Sequence, residues 1–65
     1  MGPFVKNQYK PGTKVWITTI DNLRIIGIIK GYREREGDVV GMTIQRQDDS
    51  IVELETREIS AIFDV

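Results

Sequence analysis

Sixty-five residues make one small domain, and a chain of this length buries only about 60% of its unfolded surface, so its own core is marginal. It contains no cysteine and no histidine, which removes disulfides, thiolate nucleophiles and nearly every transition-metal site, and leaves self-association as the favoured source of added stability. Nine basic and ten acidic residues give a formal charge of -1, so no global field attracts nucleic acid and any such contact has to be local.

Residues 1–12 show no clear period. Gly2-Pro3 and Pro11-Gly12 are turn signals, and Phe4, Val5 and Tyr9 suit either one stripe of a short helical turn or a loose arm capping the domain. Lys6, Lys10 and Lys14 make the N-terminal third of the chain basic, with no acid before Asp21, and a solvated basic tail is the plain reading. The start lacks a charged-then-apolar leader, and no apolar run approaches the roughly 18 residues of a membrane span, so a soluble, cytoplasmic protein with no membrane partner is expected. The absence of cysteine fits a reducing compartment.

A first strand is expected over Lys14 to Ile20, with Val15, Ile17 and Thr19 on one face and Trp16, Thr18 and Ile20 on the other. Asp21-Asn22 reads as a hairpin turn. The second strand, Leu23 to Glu34, is apolar on both faces at Ile25-Ile26-Gly27-Ile28-Ile29, so one face should meet the core and the other an arm or another subunit. Gly27 and Gly31 mark a bend or a close backbone approach. Arg33 to Asp38 reads as a charged loop turning at Gly37, followed by a third strand, Val39 to Gln45, with Val40, Met42 and Ile44 on one face. Gln47-Asp48-Asp49-Ser50 is a tight turn. The fourth strand, Ile51 to Glu55, points Val52 and Leu54 inward, and a break at Thr56-Arg57 leads to the fifth, Ile59 to Phe63. Five short strands with hairpin-length loops imply an all-β fold, a small and strongly bent antiparallel barrel over residues 14–65 behind an N-terminal arm over residues 1–13.

The order Val15-x-Ile17-x-Thr19-x-Asp21-Asn22-x-Arg24-x-x-Gly27-x-Ile29-x-Gly31-Tyr32 resembles the first motif of the Sm and Sm-like (LSm/Hfq) proteins, and Glu58-Ile59-Ser60-Ala61-Ile62 resembles the second. Together the motifs span most of residues 14–64. The resemblance implies a five-stranded barrel with an N-terminal segment and closed homo-oligomeric rings in which the fourth strand of one subunit pairs with the fifth of the next. It also implies single-stranded RNA bound around the pore by the loop after the second strand and the turn before the fifth. By position these are Arg33 to Asp38 and Thr56-Arg57, and the candidate RNA-binding residues are Tyr32, Arg33, Arg35, Asp38, Thr56 and Arg57. Here the chain departs from the family. Arg33 stands where an Asp is common, Gly37-Asp38 lies near the usual Asn, and Thr56-Arg57 replaces the Arg-Gly or Lys-His pair.

The residues themselves support part of that site. Arg35 and Arg57 carry planar guanidinium groups suited to stacking on bases or binding phosphate, and Asp38 can accept from a base edge, while Glu34, Glu36 and Glu58 oppose phosphate. A mixed-charge solvated loop is the plain alternative. For Trp16 and Tyr32, packing in the core or at a subunit interface is the first expectation and base stacking the second. Enzyme readings fare poorly: there is no histidine base, Ser50 and Ser60 have no obvious partner, and Asp48-Asp49 diverge in a turn too short for a calcium cage. No catalysis, cofactor, metal or small-molecule substrate is expected. The alternative to an RNA-binding ring is a protein-interaction module built on a Src-homology-3-like barrel, and a KOW-type barrel, suggested by Pro11-Gly12-x-x-Val15, is a weaker third.

Overall fold

The computed structural model describes residues 9–65. The expected arm over residues 1–13 therefore lies largely outside the described residues. Five strands follow one another: β1 (Lys14–Thr19), β2 (Arg24–Arg35), β3 (Asp38–Arg46), β4 (Ile51–Glu55) and β5 (Ile59–Asp64), with one 3-10 turn, Thr56–Glu58, between the last two. They form a single antiparallel sheet in the order β4-β3-β2-β1-β5. The all-β class is as expected, but the sheet is not closed into a barrel. β5 commits its pairing to β1, where Ile62 lies opposite Ile17, and this brings Ile59 and Ile62 into the core. β4 and β5 are left as the two edges.

The core is one cluster of Val15, Ile17, Ile25, Ile29, Met42, Ile44, Leu54, Ile59 and Ile62, with Tyr9, Tyr32 and Val52 packed against it. Alternation produces it directly: in β1 and in β2 up to Ile29, every second side chain is buried. Three one-residue bulges then shift the phase. Lys30 is the extra residue of β2 against β3, Val40 that of β3 against β2, and Ser60 that of β5 against β1. Ser60 Oγ donates to the Thr18 carbonyl at 3.1 Å, which ties down its bulge.

Turn chemistry sets the register. Asn22 adopts φ 66 and its N–H donates to Thr19 O, while Thr19 Oγ1, on a buried side chain, accepts from Leu23 N at 3.1 Å. Between β2 and β3 the expected charged loop is instead strand on both sides of a two-residue turn, Glu36-Gly37, with φ 53 and 86. Positive φ at both central positions is the hairpin geometry that matches strand twist. Pro11-Gly12 forms a turn closed by Thr13 N–H on Lys10 O, and Gly12 N–H reaches Ile29 O at 2.7 Å, so this segment extends the β1–β2 ladder.

Gly27 and Gly31 differ in role. A Cβ at Gly27 would lie 2.5 Å from both Gln45 O and Ile44 Cγ2, so only glycine lets β2 and β3 approach this closely. At Gly31 a Cβ would meet nothing within 4 Å, and the glycine is not required for space. No helix among the described residues is long and apolar enough to cross a membrane.

Candidate RNA-binding groove

β2 runs past the core before it turns. Its last residues, Arg33, Glu34 and Arg35, are exposed and meet the start of β3 and the 3-10 turn to enclose an open groove of about 740 Å³. The groove is lined by Arg33, Glu34, Arg35, Val40, Glu55, Thr56 and Arg57. Four of the six expected site residues, Arg33, Arg35, Thr56 and Arg57, are thus brought together from segments over twenty residues apart. Asp38 does not join them. It sits directly opposite Arg35 at the base of the turn, as the first residue of β3.

Tyr32 also lies outside the groove lining. It is half-buried opposite Met42, and its hydroxyl donates to the Tyr9 carbonyl at 2.5 Å. Burial pushes its phenol above the usual tyrosine range, with neighbouring Tyr9 adding to the shift. This agrees with packing rather than base stacking. Trp16, the other aromatic singled out, is not in the core and remains 40% exposed on the opposite face of the sheet.

Three guanidinium groups face two carboxylates around the groove, and the carboxylates modify how the cations can act. Arg57 Nε lies 2.5 Å from Glu55 Oε2, with the arginine side chain 84% exposed. An exposed pair of this kind contributes about 0–1 kcal/mol, so phosphate can displace it at small cost. Arg33 is laid across the backbone of its cross-strand partner Gly41, where a Cβ would fall 2.8 Å from a terminal guanidinium nitrogen. The guanidinium thus lies over Gly41, beside the groove. Glu58 Oε1 accepts from Glu55 N–H at 3.0 Å, and Thr56 Oγ1 donates to Val39 O at 3.3 Å, so the 3-10 turn is anchored at both ends.

The sequence reading missed Val40 and Glu55. Strict alternation put Val40 inward with Met42, and the bulge re-aims it into the groove. Alternation with Val52 and Leu54 puts Glu55 on the solvent face of β4. The Glu-Thr-Arg-Glu spacing, two acids bracketing the turn that carries Arg57, was the available signal for its capping role. Comparison with protein-family models, with curated proteins and with solved structures finds no match.

Proposed function

We propose that this chain is a non-enzymatic, cytoplasmic β-module that closes head to tail into a homo-oligomeric ring, as the Sm-like proteins it resembles do, and that the ring offers the Arg33–Arg57 groove to single-stranded RNA. The strand order carries the reading. β4 and β5 are the two edges of the sheet and are joined by only three residues. Unpaired edges invite association, and pairing β4 of one copy with β5 of the next removes both at once when the ring closes. Association also adds buried surface to a chain whose own core is small.

The RNA part is supported by the convergence of Arg33, Arg35 and Arg57 on a groove beside the β4 edge. Guanidinium planes serve both phosphate contact and stacking on unpaired bases. Native mass spectrometry tests the ring: a closed multimer at micromolar concentration is expected, and a monomer removes the assembly. Titration of an oligouridine into wild type and an Arg35→Ala/Arg57→Ala variant tests the groove. Lost affinity and a shallower salt dependence are expected, and equal binding by both removes the site. A protein-interaction module is the second reading, favoured by Glu34 and Glu55 in the groove wall and by the Glu55–Arg57 pair, which lower its attraction for phosphate.

A further inference from the structure

The face of the sheet opposite the core carries aromatic, apolar and basic side chains in register. Phe63 of β5, Trp16 of β1 and Ile26 of β2 lie directly opposite one another across three adjacent strands. A second row runs from Lys14 through Ile28 and Gln45 to Ile51. Trp16, Ile26, Ile28, Ile51 and Phe63 are all between 40% and 59% exposed, so no second layer covers this face among the described residues.

The charges beside the aromatic row decide what suits it. The Arg24 guanidinium sits 5.5 Å from the centroid of the Trp16 ring. Arg24 also shares a concavity of about 330 Å³ with Ile26, Arg46, Gln47 and Asp48. Lys14 is exposed on the same face as Trp16, two residues before it. The nearby carboxylates are weaker features: Asp48 Oδ1 is engaged by the Ser50 N–H and hydroxyl, at 3.0 and 2.6 Å, Asp64 follows Phe63 at the β5 edge, and Glu53 stands on β4 at the far side. In a chain of net charge -1, Lys14 and Arg24 share this face with two exposed aromatic rings.

We infer that this face is a second nucleic-acid surface, a stacking platform for a single strand. Trp16 and Phe63 receive unpaired bases, and Arg24 and Lys14 hold the phosphates between them. The charge pattern favours this occupant over an apolar protein surface, because a partner that buried Trp16 would have to desolvate Arg24 beside it. Base stacking is tolerant of sequence, since every base has a π-face, and it needs flat exposed rings flanked by cations. The platform does not depend on the groove reading. Edge-to-edge pairing of subunits takes place in the plane of the sheet and leaves this face open.

Trp16 is the only tryptophan, so its fluorescence reports on this face alone. Oligouridine titrated into the intact protein at low salt is expected to quench Trp16 emission. The Arg35→Ala/Arg57→Ala groove variant keeps the quenching, whereas Lys14→Glu/Arg24→Glu and, separately, Phe63→Ala weaken it about tenfold. Phe63 is largely exposed, so its truncation leaves the fold intact and tests stacking without a charge change. No quenching, or equal quenching by heparin or by a duplex of the same length, overturns the platform. Strand binding seen by anisotropy with Trp16 emission unchanged also overturns it. An emission blue shift that grows with protein concentration and abolishes quenching assigns the face to contacts between copies instead.

Discussion

Replacing Gly27 by alanine tests the packing of the sheet at its tightest point. A Cβ there lies 2.5 Å from the Gln45 carbonyl oxygen and from Ile44 Cγ2, against 3.4 Å for ordinary contact, so β3 would have to retreat by about 0.9 Å. The carbonyl belongs to the backbone and cannot rotate away, and Ile44 is fully buried in the core. Overpacking of this kind costs typically 1–3 kcal/mol, and two rigid overlaps place Gly27→Ala at about 3 kcal/mol. A single core in a chain of this size rarely supplies more than about 3–5 kcal/mol, so most of the stability is lost. The melting temperature is expected to fall by roughly 12–24 °C, at about 4–8 °C per kcal/mol for a small domain. Gly31→Ala is the internal control. Its Cβ meets nothing within 4 Å. It is therefore expected to be neutral or to add about 0.4–1 kcal/mol by restricting the unfolded chain. Urea unfolding of both variants should show a large midpoint shift for the first at unchanged slope, and little for the second. Equal effects within about 0.5 kcal/mol would refute the assignment of Gly27 to the close approach.

Glu36→Asn should stabilise the β2–β3 hairpin by about 0.5 kcal/mol, because Glu36 holds φ 53 where asparagine is far more at ease, and a rise in the urea midpoint checks this. Tyr32→Phe should cost about 1 kcal/mol through the lost bond to the Tyr9 carbonyl. It should also alter alkaline unfolding. Folding raises the Tyr32 phenol, so its contribution is fully present below about pH 10 and is lost as pH rises through the elevated value. Stability measured across that window should fall less steeply in Tyr32→Phe than in wild type. Gly41→Ala pushes the Arg33 guanidinium off the strand, where a Cβ would stand 2.8 Å from it. The side chain can move, so oligouridine affinity should change while the urea midpoint shifts by under about 1 kcal/mol.

Alternation of apolar residues was enough to place all five strands and most of the core, because β1, β4 and the first half of β2 keep strict period two. It fails where an extra residue enters. Val40 changes face at a bulge that no local composition marks, since a bulge depends on what lies opposite, here Arg33 and Glu34. The run Arg33 to Asp38 looked like a loop because it has no apolar residue. Apart from the Glu36-Gly37 turn it is strand, because β2 and β3 outrun the core and pair with both faces in solvent. The same overhang explains the groove. Arg33 and Arg35 do line the groove, while Asp38 and Tyr32 are separated from them by cross-strand placement that sequence position does not reveal. Closure into a barrel does not follow from strand count, because five short strands can equally stop as an open sheet with two edges.

That return of β5 to β1 joins the two ends of the domain, with Ser60 bonded to Thr18 across 42 residues of chain. The other pairings are all between sequence neighbours. Local hairpins close cheaply and early, whereas contacts of long sequence separation must first meet the entropy of closing a large loop. On these grounds the β1–β4 meander is expected to form first and β5 to dock last, an order that stopped-flow refolding of a Phe63 or Ile62 variant checks. In that interval β1 is also an open edge, and the β5 of another copy presents the same residues to it. Assembly and folding then compete for one strand, and protein concentration during refolding becomes a variable that decides whether β5 closes on its own chain or is exchanged.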